Sequence, residues 1–159
     1  MPGSITTEFL DNDAIDAIDE QHVYELLTYL SQAHPVSLEK VQEQLDKMSR
    51  SEQCYMSIAR EAGGHLLAMS TINYLHAPNV SYGFIDAVVR RPDAQRGLGR
   101  AVTTRLLEHA FAVEGVDMVK LTSNPTREPA QKMYVDLGFS KHDTDLFVLP
   151  RKFWRLDAA

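Results

Sequence analysis

The sequence predicts a single domain of the α/β class built on one mixed sheet, and three observations support this. The chain has 159 residues, of which 44% are hydrophobic, enough for one domain with a core of its own. Two β-like runs in the middle of the chain flank Gly63-Gly64, a dipeptide that suits a hairpin turn. In the second half, β-like runs alternate with helical stripes, which is typical of a sheet that also contains parallel strands.

The first half begins with a short predicted strand in residues 4–10. A helix is predicted from about Ile18 to Gln32, where apolar residues recur at helical spacing, and the proline of "AHP" ends it because proline disfavours helix in the residue before it. Ser37 is then predicted as the N-cap of a second helix within "SLEKVQEQLDKM".

The second half continues the same kind of pattern. The predicted elements are, in order, two hairpin strands within 54–75, a strand over 81–89, a helix over 97–113, a strand over 116–123, a helix from Thr126 to Gly138 and a last strand over 143–149. Thr126 is preferred to Asn124 as the last helix's N-cap, because a start at Asn124 would place Pro129 where its missing N–H breaks an internal bond. The predicted order is therefore β-α-α-β-β-β-α-β-α-β.

Charge and composition limit the partners that we expect. The net charge of −6 disfavours nucleic acid and favours a cationic partner. Cys54 is the only cysteine, so an internal disulfide is impossible, and with no visible signal peptide we expect a cytoplasmic protein. No apolar run approaches the roughly 20 residues of a membrane span, and the six histidines do not fall at metal-ligand spacing, so we expect neither a membrane partner nor a metal.

Residues 93–102, "DAQRGLGRAV", place Gly97 and Gly99 at the start of a predicted helix, between Arg96 and Arg100. Glycine costs helix stability, about 1 kcal/mol per interior position relative to alanine. A helix N-terminus carries partial positive charge and unpaired N–H groups, and glycines let a phosphate approach them closely. The stretch therefore predicts a strand-loop-helix pyrophosphate cradle.

Three kinds of cradle share this layout. A P-loop requires a lysine after its second glycine, and none follows here. A dinucleotide fingerprint requires a third glycine, where this chain has Val102, and the acid about 20 residues on, Asp117, begins the next strand rather than ending it. The third kind is the cradle for an acyl-CoA.

The segment "AVVRRPDAQRGLGRAVTTRLLEHA" resembles the GNAT superfamily of N-acetyltransferases, whose cradle runs Gln/Arg-x-x-Gly-x-Gly/Ala. The six positions are residues 94–99, and Ala94 departs from the pattern, with Gln95 beside it as a substitute. Further on, "REPAQKMYVDLGF" resembles the family's Asn-x-x-Ala-x-x-x-Tyr-x-x-x-Gly-Phe helix, with Arg127 in the Asn position. The resemblance covers residues 84–150.

The resemblance implies a GNAT-like acyl-CoA N-acyltransferase fold. Within one N-acetyltransferase domain over 1–159, residues 1–80 would form the acceptor side, 81–150 the acetyl-CoA side and 151–159 a tail. The implied activity is transfer of an acetyl group from acetyl-CoA to a primary amine, by direct attack through a tetrahedral intermediate. The acceptor stays open between a small-molecule amine and a protein amine, and a homodimer is implied because dimers are common among relatives. The alternative is a non-catalytic acyl-CoA sensor or scaffold with the same fold.

The resemblance also implies site residues. Tyr134 would protonate the CoA thiolate as it leaves, since a phenol of pKa about 10 can donate to it, although the same side chain also fits a core tyrosine. Asp86 would accept the amine's proton, directly or through a water, although related enzymes often carry a carboxylate at the position of Ile85 and a structural aspartate is the competing reading. The other candidate bases are His76, Asp19, Glu20 and Glu25. The backbone of Ala87, Val88 and Val89 would receive the thioester and the pantetheine arm. The remaining cofactor-binding positions are Gln95, Arg96, Gly97, Leu98, Gly99, Arg100, Asn124 and Arg127.

Overall fold

A computed structural model describes residues 3–30 and 35–154, which fall into two compact units on either side of the Asn124–Pro125 bond. The strands of the first unit are β1 Ile5–Leu10, β2 Cys54–Glu61, β3 Leu66–Ala77, β4 Val80–Arg90 and β5 Met118–Leu121. Its helices are α1 Asn12–Asp16, α2 Glu20–Thr28, α3 Leu38–Ser49 and α4 Leu98–His109, followed by a π-helical turn, Ala110–Glu114. The second unit contains α5 Glu128–Asp136 and a 3₁₀ turn, Arg151–Phe153.

The sheet of the first unit has the order β1-β2-β3-β4-β5. Strands β1 to β4 are antiparallel neighbours, and the β2–β3 connection contains the predicted Gly63-Gly64 turn. Strand β5 then pairs parallel with β4 after the crossover through α4. The predicted mixed sheet is confirmed.

Helices cover both faces of this sheet. Alternate residues of β2 separate the two layers: Ile58 belongs to the core beneath α1, α2 and α3, whereas Ala59 belongs to the core beneath α4. Leu98, Val102 and Leu106 of α4 are almost completely buried, which confirms the i, i+4 ridge that the sequence predicts.

The first three helices differ in detail from the predicted pair. Ser37 caps α3 as predicted, accepting a hydrogen bond from the Lys40 N–H. Asp19 caps α2, which therefore begins at Glu20 rather than Ile18 and ends at Thr28. The short α1 was not predicted, because five residues are too few for a periodic apolar stripe. The predicted stop at 33–35 lies mostly outside the described residues.

The second unit corrects two predictions. Helix α5 starts after Arg127, not Thr126, and Pro129 lies in its first turn, where a missing N–H breaks no helical bond. Gly138 ends the helix as predicted: its φ is 101°, its N–H bonds to Val135 O at 3.0 Å, and the Phe139 N–H bonds to Tyr134 O at 3.0 Å.

The predicted strand over 143–149 is wrong. These residues have no regular secondary structure, and the side chain of Phe147 is 91% exposed. A β-like composition supplies only a preference, since a strand also needs a hydrogen-bonding neighbour. The described part of the second unit contains no other strand that could serve as one.

Candidate active site

The N-terminus of α4 presents free backbone donors. Gly97 is the N-cap residue, with a left-handed φ of 92° and no side-chain capping bond. The first helical bond runs from the Ala101 N–H to the Gly97 carbonyl at 3.0 Å, so the three N–H groups of residues 98–100 have no intrahelical acceptor. A Cβ added at Gly97 would meet no atom within 4 Å, so the space in front of these donors is open.

Arginines beside these donors add full charges. The side chains of Arg96 and Arg100 flank Gly97 and are exposed. Together with the helix dipole they make this end of α4 suited to an anion such as a pyrophosphate. The residues here thus have the chemistry that a CoA would require.

The loop before α4 is shaped by Arg90, which the sequence reasoning missed. The Arg90 guanidinium donates to Arg91 O at 3.0 Å and also to Ala94 O, while the Ala94 N–H bonds back to Arg91 O at 3.1 Å. The Ala94 side chain packs against the core cluster of Leu98 and Val102, which explains why this position carries no polar group. Gln95, the expected substitute, is exposed. No local pattern marks Arg90, because its role depends on the turn that it closes.

Arg91 anchors the same loop to two other elements. Its N–H bonds to Leu67 O at 2.8 Å, and its guanidinium lies 2.8 Å from Nε2 of His65 in the β2–β3 connection. It also contacts Asp93 at 3.1 Å and Glu25 of α2 at 3.8 Å. The start of the cradle is therefore held from the hairpin and from α2.

Strand β4 is paired with β5 over only part of its length. The parallel pairing runs from Tyr82–Met118 to Ile85–Leu121 and stops there. From Asp86 to Arg90, β4 keeps its partner β3 but has no strand neighbour on its other side among the described residues. The chain thus opens a gap along the residues that lead into the cradle.

A β-bulge lies at the start of this gap. Ser70 pairs with Val88 and Ile72 with Ile85, so Asp86 and Ala87 together oppose the single residue Thr71. The Ala87 N–H bonds to Thr71 Oγ1 at 3.3 Å, on the β3 side. Because N–H groups alternate in direction along a strand, the N–H of Val88 is expected to point into the gap.

The Asp86 side chain extends from this bulge, on the sheet face that α1 to α3 cover. Its Oδ2 accepts a hydrogen bond from Asn73 Nδ2 at 2.8 Å, and Asn73 Oδ1 lies 2.7 Å from the Cys54 sulfur. Burial raises the pKa of Asp86 above its ordinary value, and the Asn73 hydrogen bond opposes that change. Ile85, where related enzymes often carry the acid, is 2% exposed.

The second unit holds Tyr134 and Arg127. Burial raises the pKa of the Tyr134 phenol, while the positive charge of Arg127 opposes the rise. The Tyr134 ring also meets Phe139 edge-on, with ring centroids 5.9 Å apart. The predicted site residues on β4 and at the start of α4 lie together in the first unit, which ends at Asn124. Tyr134 and Arg127 belong to the second unit.

The described residues contain neither a membrane-spanning helix nor a cluster of metal ligands. Over 3–30 and 35–154, no helix combines the length and the apolar composition needed to cross a membrane. In the same ranges, no group of three or more His, Cys, Asp or Glu side chains is arranged to hold a metal ion.

Comparison with known proteins places this arrangement in a family. Residues 20–139 match the model of the acetyltransferase (GNAT) family. No curated protein matches the chain.

Among solved structures, the chain is similar to the aminoglycoside N-acetyltransferase AAC(6')-Iy in complex with CoA (15% identity, 95% of this chain and 97% of that one, TM-score 0.74). It is also similar to a putative acetyltransferase from Agrobacterium tumefaciens (20% identity, 91% and 99%, TM-score 0.75). A third is an aminoglycoside acetyltransferase from an uncultured soil metagenomic sample in complex with sisomicin (13% identity, 92% and 95%, TM-score 0.71).

The family match spans about three quarters of the chain and includes the N-terminus of α4, the point where the β4–β5 pairing ends, and helix α5. The protein therefore belongs to the acetyltransferase (GNAT) family and is an acetyl-CoA-dependent N-acetyltransferase.

Proposed function

We propose that this enzyme transfers the acetyl group of acetyl-CoA to a primary amine of a small molecule, by direct attack of the amine on the thioester through a tetrahedral intermediate. The observation that carries the proposal is one continuous segment, in which a stretch of β4 that has no strand neighbour on its β5 side leads through a braced loop into an uncapped helix N-terminus. Such a segment offers backbone donors to the thioester and to the pyrophosphate of an extended acyl-CoA.

The pyrophosphate end is assigned to α4. The free N–H groups of residues 98–100 supply neutral donors, and Arg96 and Arg100 supply charge. Gly97 leaves room for close approach. Asn124 and Arg127 remain proposed cofactor contacts, supported by the resemblance of their positions to the family motif.

The thioester end is assigned to the gap beside β4. The backbone of residues 87–89 would receive the pantetheine arm, and the Val88 N–H would donate to the thioester oxygen as charge develops on it. A preorganised donor at this place stabilises the transition state more than the ground state. The bulge at Asp86 and Ala87 supports this role, because it sets which N–H groups of the following residues point into the gap.

Proton transfers complete the reaction. An amine of pKa about 9 to 10 arrives mostly protonated, and we assign removal of its proton to Asp86, directly or through a water. The raised pKa of this carboxyl suits a base better than that of an ordinary aspartate. Tyr134 is assigned the proton that the CoA thiolate takes as it leaves, because a phenol is in its protonated form at neutral pH. The second proton, which the attacking nitrogen loses as the tetrahedral intermediate collapses to the amide, then restores the phenol.

The acceptor class is proposed from charge and from similarity. The net charge of −6 and the carboxylate of Asp86 favour a cationic acceptor. The similar structures that carry aminoglycoside acetyltransferase names support a small polyamine rather than a protein amine. A homodimer stays a prediction.

The test is release of free CoA thiol from acetyl-CoA against a panel of amines that includes aminoglycosides, simple diamines and lysine peptides. We expect release with at least one small polyamine and much slower release with the peptides. CoA binding without release across the panel would instead identify an acyl-CoA sensor, and release with peptides alone would move the acceptor to protein.

A further inference from the structure

Three polar side chains on neighbouring strands are linked by hydrogen bonds on the sheet face that α1 to α3 cover. Cys54 of β2 is the direct cross-strand partner of Asn73 in β3, and Asp86 of β4 lies on the other side of Asn73. The two side-chain hydrogen bonds, 2.7 and 2.8 Å long, form a continuous chain from the thiol to the carboxylate. The family match does not assign a role to Asn73 or Cys54.

The direction of this chain follows from the donor and acceptor inventory. An ionised carboxylate only accepts hydrogen bonds, so the Asn73 group that faces Asp86 must be the amide nitrogen. The amide oxygen then faces Cys54, whose S–H is the available donor. The thiol therefore favours the one amide orientation in which Asn73 donates to Asp86.

The consequence for Asp86 is a fixed carboxylate. Rotation about χ2 of aspartate is otherwise broad, and the Asn73 bond holds Oδ2 in place. Oδ1 has no hydrogen-bond partner within residues 3–30 and 35–154. One oxygen is thus held by the sheet, and the other is available to a ligand.

We propose that Asn73 is a positioning residue that aims Oδ1 of Asp86 at the acceptor amine, and that Cys54 fixes the Asn73 amide for this purpose. The inference rests on the proposed function of Asp86. In the step concerned, an N–H bond of the substrate ammonium breaks, the proton passes to Oδ1, and the nitrogen keeps the electron pair with which it attacks. Asn73 exchanges no proton.

The test compares two readouts in Asn73→Leu, which keeps the side-chain size and removes the hydrogen bond. One readout is the titration of the Asp86 carboxyl group in the free enzyme, followed through the NMR chemical shift of its carboxyl carbon. The other is the acidic limb of kcat/KM, together with kcat at its plateau. We expect both midpoints to move to higher pH together, by about one pH unit, because the carboxylate loses a stabilising donor, and the plateau kcat to fall about tenfold. The same substitution at Asn79, in the exposed β3–β4 turn, is the matched control and should move neither.

Cys54 supplies a second, graded arm. Cys54→Ser retains a donor to Asn73 and should keep the wild-type midpoint, whereas Cys54→Ala should shift it part of the way toward that of Asn73→Leu. If Asn73→Leu fails to fold, Asn73→Asp keeps the size and polarity, replaces the donor with an acceptor and should raise both midpoints further.

The outcomes separate this inference from the proposed function. A wild-type enzyme that releases no CoA thiol with any amine would reject the proposed function. An active wild type whose acidic limb is unchanged in Asn73→Leu would overturn the positioning role, whether or not the Asp86 titration moves.

Discussion

The Arg90 guanidinium donates a hydrogen bond to the carbonyl oxygen of Ala94, four residues further along the chain. The bond closes the turn that delivers the chain from β4 into α4. Arg90→Met should loosen this turn while keeping most of the side chain's apolar bulk. A charge-assisted hydrogen bond contributes about 1.5–3 kcal/mol, so we expect KM for acetyl-CoA to rise about tenfold or more with a smaller change in kcat. Steady-state kinetics check this, with the exposed Arg50→Met as the control.

Gly97→Asp should abolish most CoA binding, because it places a negative charge and a side chain where the pyrophosphate is expected. Backbone strain at φ 92° is a confounding effect, and Gly64, with φ 94° and equally open space, provides the match. We expect Gly64→Asp and Gly97→Asp to lose similar stability, about 1–2 kcal/mol. Calorimetry should show at least a tenfold loss of CoA affinity in Gly97→Asp alone. Equal affinities in two folded variants would reject the cradle.

Tyr134→Phe keeps the ring that packs against Phe139 and removes only the hydroxyl. If the phenol protonates the leaving thiolate, kcat should fall roughly 100-fold with little change in CoA affinity. Tyr24→Phe, on α2, is the control. A variant that turns over near the wild-type rate would leave Tyr134 as a packing residue only.

Asp86→Asn tests the base. Burial raises the pKa of Asp86, so the wild-type rate should increase with pH through a value above the ordinary 3.9 or so, as the carboxylate forms. The variant should lose or shift this limb, and its maximum rate should fall at least tenfold. An unshifted limb with a near-normal rate would point to a different acid or to a water chain.

His109 should make stability depend on pH. Its Nδ1 lies 2.7 Å from the Tyr74 hydroxyl and its ring stacks on Phe9, and burial lowers its pKa while the charge of Glu114 opposes this. The unfolded chain therefore binds the proton more tightly than the folded one. The contribution of His109 to the free energy of unfolding should be fully present above about pH 6.5, and it should be lost as the pH falls from there through the lower folded pKa. Denaturant unfolding at several pH values should show a shallower decline in His109→Gln, and parallel curves would contradict the assignment.

The sequence predicted those features that depend on local chemistry. Ser37 and Gly138 act through bonds to residues three or four positions away, and both predictions are confirmed. The α4 ridge was equally readable, because its period depends only on helix geometry.

Features that depend on distant partners were missed. Asn73 gains its meaning from Cys54 and Asp86, which lie 19 and 13 residues away in sequence and are adjacent only in the sheet. The strand predicted over 143–149 is wrong because it also depended on a distant partner. Its composition suits a strand, but the described residues of the second unit contain no strand with which it could pair.

The extra residue opposite Thr71 changes the phase of β4. Phe84 and Asp86 share a face in the usual alternation, but beyond the bulge it is the odd-numbered Val89 that enters the core beneath α1 to α3. Even-numbered residues before the bulge and odd-numbered residues after it therefore lie on the same face of the sheet. Deleting Ala87 should make the alternation of side chains regular along the whole strand, so that one half of β4 exchanges its two faces. Either Val89 then leaves its core, or Asp86 leaves the face that α1 to α3 cover. A change in the length of β4 by one residue should therefore disrupt the core or the site even when every remaining residue is kept.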